Sequence, residues 1–290
     1  MKAMRDGRLD VRPGLTRRAA LRVLLAGGCA TLADAAWLEP GHLSVTRKEI
    51  VLAGLPAGMD GLKVALLADF HYRPDDDDGL LGKVVRQVRA EAVDLVMLAG
   101  DFVNDDPVVL APLLEHLGEL EARHGVFAVA GNHDGWSGGA AEMRRGFEKR
   151  GISFLVNQHC RVGIRGESLA VAGTDYVWLG NPDPKRAVAG IPRDVPVVAM
   201  VHEPDYFDVM EPQRPGVLQL SGHTHGGQCR VPVAGYAPVK VEWGRKYVHG
   251  LFERGDSRLF VTRGVGTTGM RVRFACPPEL AVLTLRPGGK

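Results

Sequence analysis

The chain has 290 residues, 45% of them hydrophobic and 24% charged, with a formal net charge of +2. That balance excludes a disordered chain and leaves ample length for a buried core. The near-neutral charge excludes a strongly basic nucleic-acid binder, so no specific nucleic-acid partner is expected.

The N-terminus reads as an address. Lys2, Arg5, Arg8, Arg12, Arg17, Arg18 and Arg22 lead into the apolar run Val23-Leu24-Leu25-Ala26, and Ala33-Asp34-Ala35 offers small residues for cleavage. That order is the order of a secretory signal. The Arg17-Arg18 pair resembles a twin-arginine export signal. The apolar run is far short of the ~20 residues that a membrane-spanning helix needs. Residues 1–36 are expected to be a signal or anchor segment and residues 37–290 a single domain. The expectation is export by the twin-arginine machinery to the periplasm or cell envelope, with anchoring to the inner membrane as the alternative. Cys29, Cys160, Cys229 and Cys276 lie far apart without a C-x-x-C pair. They indicate neither a zinc knuckle nor a disulfide framework, and leave room for one isolated disulfide.

From residue 42 the pattern becomes that of an α/β protein. A strand is expected over 42–51 and a buried strand over 62–68, ending at Asp69-Phe70-His71. Leu81, Val84, Val85 and Val88 have helical spacing over 80–91. A second buried strand, 94–99, ends at Gly100-Asp101, and a helix follows over 108–122. A third, 125–130, ends at Gly131-Asn132-His133-Asp134. Strand–helix repeats of this kind form βαβ units with parallel strands. Asp69, Asp101 and Asn132 are spaced by about one such unit, roughly 30 residues. Their side chains should converge beyond the carboxyl ends of the strands, where open α/β sheets bind ligands.

A helix over 140–149 precedes three short strands, with a hairpin turn at Arg165-Gly166-Glu167. A short helix over 183–189 comes next. Strand 195–201 delivers His202 and strand 216–220 delivers His223 and His225. The remainder, 239–285, reads as mostly strand. The whole suggests two mixed sheets facing each other with helices outside. Asp75 to Asp78 read as a solvated loop. Arg263, Arg271 and Arg273 could hold a second phosphate, with surface arginines as the more usual case.

The segment Gly222-His223-Thr224-His225-Gly226-Gly227 concentrates the chemistry. Neutral imidazole is the commonest protein metal ligand, and an extended backbone would point residues i and i+2 to one side. The glycine pair would give a phosphate room to approach. With Asp69, His71, Asp101, Asn132, His133 and His202, the set has too many donors for one tetrahedral ion and no thiolates for structural zinc. Oxygen and nitrogen donors suit Mn²⁺, Fe, Zn²⁺ or Mg²⁺. Two ions, two aspartates and one hydroxide leave a net charge of about +1, which favours a phosphoryl group. Trp136 and the stretch Tyr176-Val177-Trp178-Leu179 could form an apolar lid for a lipid or nucleoside, with ordinary loop packing as the plainer alternative.

These motifs, in this order, resemble the calcineurin-like metallophosphoesterase superfamily. The resemblance implies a four-layer α/β/β/α sandwich and two divalent ions, Mn²⁺ foremost. By matching motif, Asp69, His71 and His225 would hold the first ion, and Asn132, His202 and His223 the second, with Asp101 between them. His133 would contact the phosphate or protonate the leaving group, oriented by Asp134. His-Gly-Gly-Gln after the last motif, Arg263-Gly-Val-Gly and Pro277-Pro278-Glu279 resemble the bacterial YkuE/YaeI-type phosphodiesterase branch, although Glu203 stands where that branch more often has Asn. The function implied is hydrolysis of a phosphodiester or nucleotide pyrophosphate by a metal-bridging hydroxide. One alternative is hydrolysis of the lipid-linked UDP-2,3-diacylglucosamine of lipid A synthesis. Another is a non-catalytic scaffold on the same fold.

Overall fold

Side-chain alternation decides the layers. In the computed structural model, which describes residues 16–288 apart from 105, 139, 233–236 and 239–240, the central strands are apolar on both faces. Lys2, Arg5, Arg8 and Arg12 of the expected signal, and the expected strand start at Val239, lie outside the described residues.

Helix α1 (Arg17–Ala33) precedes a π-helical turn at Asp34–Leu38. The first half of the body contains β1 (Ser44–Leu52), β2 (Leu62–Leu67), α2 (Pro74–Glu91), β3 (Leu95–Ala99), α3 (Leu110–Leu117), β4 (Val126–Val129), α4 (Asn132–Trp136), α5 (Ala140–Glu148) and β5 (Ser153–Phe154). The second half contains β6 (Gln158–Ile164), β7 (Glu167–Gly173), α6 (Pro184–Ala187), β8 (Val197–Met200), α7 (Phe207–Met210), β9 (Leu218–Ser221), β10 (Gly250–Arg254), β11 (Ser257–Val261) and β12 (Glu279–Pro287).

Two six-stranded sheets result, ordered β1-β12-β2-β3-β4-β5 and β10-β11-β9-β8-β7-β6. The strands β2, β3 and β4 run parallel, as do β7, β8, β9 and β11. The hairpins β6–β7 and β10–β11, and the pair β12–β2, are antiparallel. Both sheets are therefore mixed.

Along β3, Leu95, Met97 and Ala99 enter the core between the sheets, while Val96 and Leu98 face the layer under α2, α3 and α5. A third apolar layer, with Ala199, Phe207, Val217 and Val261, covers the outer face of the second sheet. Strands buried on both faces read as continuous apolar runs rather than alternating ones.

Three expectations need correction. Helix α2 begins at Pro74, six residues before the apolar periodicity starts, so Asp75 to Asp78 form its first turn rather than a loop. Proline is pre-set for the first helical position, and acidic residues favour the positive end of a helix dipole. Asp77 completes the turn by accepting from the Arg73 amide at 2.9 Å. The stretch from 239 onward is strand only at β10, β11 and β12, because 262–278 is irregular backbone wrapped around Arg273. That guanidinium is fully buried rather than on the surface. It donates to the carbonyls of Arg263, Gly264, Gly266 and Cys276. Such a fork satisfies loop carbonyls that no strand pairs. The four cysteines are free.

The body begins before residue 37. Ala35 is buried and its carbonyl accepts from the Arg273 amide at 3.0 Å, while the Glu39 carboxylate accepts from the amides of Ala275 and Cys276.

Candidate metal centre

Five strands deliver the site. Asp69 and His71 follow β2, Asp101 follows β3, Asn132 and His133 open α4 after β4, His202 follows β8, and His223 and His225 follow β9. The side chains expected as metal ligands, and His133, lie at this one rim. Asp69, His71, Asp101, Asn132, His202, His223 and His225 are buried there, and His133 is half-buried.

The backbone is strained to bring them in. Asp69 (φ 54°), His71 (φ 41°), Asp101 (φ 54°), His223 (φ 73°) and His225 (φ 51°) all lie in the left-handed region. Each such residue costs of order 1–3 kcal/mol and persists only where its surroundings over-determine it. Those surroundings are hydrogen bonds: Asp69 Oδ1 accepts from His223 N at 2.7 Å, and Asp101 Oδ1 accepts from His133 N at 2.9 Å. Gly131 is required by close approach, since a Cβ there would sit on the Asp101 carboxylate.

Three groups of potential ligand atoms, each within 4.8 Å of one another, emerge among the described residues: Asp69/His71/His225, His71/Asp101/His133 and Asp101/His202/His223. Asp101 Oδ2 stands 3.4 Å from His71 Nε2 and 3.1 Å from His202 Nε2. His225 and His223 thus fall in different groups. The second nitrogens are tied down: His202 Nδ1 lies 2.6 Å from the Ala99 carbonyl and His223 Nε2 lies 2.6 Å from the Glu242 carbonyl. Donation to those carbonyls fixes which nitrogen of each ring faces the site, which is how ligating imidazoles are held.

The residues fit divalent ions on a second ground. Asp69 Oδ2 and Asn132 Oδ1 are buried without a hydrogen-bond partner among the described residues. An unpaired buried polar atom costs ~1–3 kcal/mol, so two in one site call for an explanation such as an ion.

Electrostatics agree. Burial pushes His71 down to about 3 and His223 down to about 4, and holds His225 well below the usual imidazole range. Neutral imidazole is the metal-binding form. Burial pushes Asp69 up to about 7, with the charge of Asp101 adding to it. Burial would raise Asp101 too, but His202 and His71 outweigh it and hold that carboxyl well below the usual range. His202 is raised: burial opposes its charge, and Asp101 overcomes burial. Asp101 is therefore the site's most firmly ionised carboxylate, and it stands where cations from both sides would meet.

The geometry corrects three expectations. Asp134 does not orient His133. Its Oδ1 accepts from Phe102 N (2.8 Å) and Val103 N (3.2 Å), and its Oδ2 accepts from Gly131 N (2.8 Å). Successive helical residues point about 100° apart, so Asp134 faces the loop after β3. His133 Nδ1 instead lies 3.3 Å from the Asn104 carbonyl. The His223–His225 segment is a turn rather than extended backbone. The Gly226-Gly227 pair does not open a path, because a Cβ at Gly226 would lie 2.7 Å from Arg263 Cγ and one at Gly227 would strike Ala237.

Asn104 was not foreseen. Its carbonyl faces His133 and its amide donates to the His71 carbonyl at 3.1 Å. An Asn three residues past Gly100-Asp101 was the available signal. The Ala99 and Glu242 carbonyls leave no signal in a sequence.

Residues 62–227 match the calcineurin-like phosphoesterase family. The chain belongs to that family. It is 30% identical to the uncharacterized metallophosphoesterase YkuE of Bacillus subtilis, over 90% of this chain and 93% of that one. It is 32% identical to the phosphodiesterase YaeI of Escherichia coli, over 86% of this chain and 90% of the relative. It is also 27% identical to the UDP-2,3-diacylglucosamine pyrophosphatase LpxG of Chlamydia trachomatis, over 91% and 96% of the two chains. Family and donor groups together point to a divalent two-metal site in a phosphoester hydrolase.

Proposed function

We propose that this chain hydrolyses phosphodiesters with two divalent ions, Mn²⁺ foremost and Fe, Zn²⁺ or Mg²⁺ as alternatives. The observation that carries the reading is Asp101 Oδ2 standing between His71 and His202, one from each side of the site. Asp69, His71 and His225 would hold one ion, and Asn132, His202 and His223 would hold the other, with Asp101 available to both. Two bound ions supply Lewis-acid polarisation of a phosphoryl oxygen and lower the pKa of water toward ~7.

The chain's own groups do the rest. The Asn104 carbonyl accepts from His133 Nδ1–H, which turns Nε2 toward the site; in the doubly protonated ring Nε2–H gives its proton to the departing alkoxide or donates to the phosphate, and the ring returns to the neutral Nδ1–H form. Asp134 fixes the loop after β3 to the start of α4 and so keeps His133 and Asp101 in register. The reading is tested by chelation. Turnover of a simple diester should vanish on metal removal and return with Mn²⁺ or a similar ion. Full activity in metal-free protein would overturn it.

The similarity to LpxG favours a second reading, a lipid-linked nucleotide pyrophosphate. Leu24, Leu25 and Leu32 of α1 are exposed beside Arg17, Arg18 and Arg22, a combination suited to a membrane surface or an export signal. No helix of the described residues is long and apolar enough to cross a membrane. We place the protein in the cell envelope, exported or held at the inner membrane; fractionation of cells expressing the full chain checks this. Turnover of a simple diester with none of UDP-2,3-diacylglucosamine would reject the second reading. A non-catalytic scaffold is disfavoured because every expected donor is present.

A further inference from the structure

Two tryptophans flank the site on one side. Trp136 ends α4, is 40% exposed, and its ring lies 4.8 Å from that of His133. Trp178 meets Trp136 at 4.9 Å and 83°, and meets His223 at 6.3 Å and 88°. His133 and His223 belong to different donor groups, so the indoles span the rim from one half of the site to the other.

The loop that carries Trp178 is built rather than loose. Glu203, fully buried, accepts from Val177 N with both oxygens at 2.9 Å and from Trp178 N at 2.8 Å. Asp175 accepts from Tyr176 N and Asn181 N. Asn157 Oδ1 accepts from Asp175 N and Asp183 N, and its amide donates to the Asn181 carbonyl. Tyr176 lies on the backbone of α4, where a side chain at Gly135 would run into its ring. A buried carboxylate is costly unless hydrogen-bonded. Here those hydrogen bonds hold one indole against another, with Trp136 exposed and Trp178 partly exposed beside the site. An edge-to-face pair leaves an indole face free to stack.

We propose that Trp136 and Trp178 form a binding subsite for a planar aromatic group, a nucleobase or an aryl ring, carried by the substrate next to the phosphoryl group. Glu203 is the positioning residue that holds Trp178 there. The inference rests on the phosphoester reading for the neighbouring phosphate site, but its test is a binding measurement and does not need turnover.

The test is calorimetric titration of Mn²⁺-loaded full-length protein with adenosine 5′-monophosphate, phenyl phosphate, ribose 5-phosphate and octyl phosphate. Stacking of one base on an aromatic side chain corresponds to about tenfold or more in affinity. An advantage of that size for either aromatic ligand over ribose 5-phosphate supports the subsite, provided that Trp136→Ala and Trp178→Ala abolish it. Preference for the nucleotide alone identifies a nucleobase pocket, and preference for phenyl phosphate alone an aryl one. Trp136→Phe and Trp178→Phe keep a ring and should keep most of the advantage, which separates lost stacking from misfolding. Equal binding of all four ligands, preference for octyl phosphate alone, or an aromatic advantage that survives both alanine variants would overturn the proposal. If chelation leaves ester turnover intact while the aromatic advantage persists, the metal reading fails and the subsite stands.

Discussion

The Nε2 atoms of His71 and His225 face each other at 3.0 Å across 154 residues of chain. Burial keeps both rings neutral, so at most one can donate a proton and the other must present a lone pair. Two imidazole nitrogens turned toward one point, with Asp69 Oδ1 4.0 Å from His225 Nε2, are the arrangement of a shared cation. The expected consequence is a divided metal loss. His225→Ala should empty the Asp69/His71 side and retain one ion per chain, and His223→Ala should empty the Asp101/His202 side. Affinity at the damaged side should fall by more than the 10–100-fold typical of losing an outer partner, so roughly 100-fold or more. Metal analysis after dialysis reads this directly. Either variant losing both ions equally would contradict the division.

His133 is half-buried and touches the aromatic rim, unlike the fully enclosed His71 and His202. It also falls within reach of His71 and Asp101, so its role as proton donor rather than ligand needs its own test. His133→Ala is expected to lower kcat by ~10²–10⁴ while leaving two ions bound. Substrates with a good leaving group, such as p-nitrophenyl esters, should suffer least. Loss of an ion would instead make His133 a ligand.

Much of this was legible before any fold was known. The apolar runs at 62–68, 94–99 and 125–130 each end in a polar cluster, and parallel βαβ connection brings those ends together whatever the loops do. Asp69, Asp101 and Asn132 could be gathered on that basis alone. What could not be read was set by backbone. The left-handed turns at His223 and His225 have no glycine to announce them. The Ala99, Asn104 and Glu242 carbonyls that aim the imidazoles carry no side-chain signature. Strand β12, inserted parallel to β1 and antiparallel to β2, comes from the far end of the chain, and the run of charges at Asp75 to Asp78 hid a helix start behind Pro74.

Glu203 departs from the Asn more usual in the resembling branch, and the structure gives it work that an amide cannot copy. Its two oxygens accept from two backbone N–H groups. In Glu203→Gln the oxygen at Oε1 can still serve both N–H groups, but the NH₂ that replaces Oε2 is buried donor to donor against the Val177 N–H, which costs ~1–3 kcal/mol. The expected result is a fall in Tm together with faster amide exchange at Val177 and Trp178. Unchanged exchange at those two amides would show that the carboxylate does not hold the loop.

The docked segment at 34–39 gives the N-terminus a measurable role. A protein beginning at residue 34 keeps the Ala35 carbonyl bonded to Arg273 and the Glu39 carboxylate bonded to Ala275 and Cys276. One beginning at residue 40 loses all three and exposes the loop built on Arg273. Net losses of ~0.5–1.5 kcal/mol per hydrogen bond predict that the shorter protein melts several degrees lower. Equal melting temperatures would mean that the segment merely rests on the surface.

Glu279 provides a pH signature away from the metal centre. It is fully buried and accepts from Thr46 Oγ1 (2.6 Å), Thr262 Oγ1 (2.8 Å) and Arg263 N (2.9 Å), with Arg263 Nη2 3.0 Å from its other oxygen. Burial alone would raise its pKa, but His249, Arg263 and Thr46 outweigh burial and hold it well below the usual carboxylate range. A depressed folded-state pKa contributes stability that is fully present above the unfolded value of about 4.3 and is lost as pH falls toward the folded value. Glu279→Gln should therefore cost about 3 kcal/mol at neutral pH, the scale of a broken buried ion pair. The deficit should shrink by more than about 1 kcal/mol near pH 3, where the wild-type carboxylate has begun to lose its advantage. Denaturant titrations of both proteins at the two pH values decide it, and a deficit that stays constant or grows on acidification would show that Glu279 is held by packing rather than by its charge.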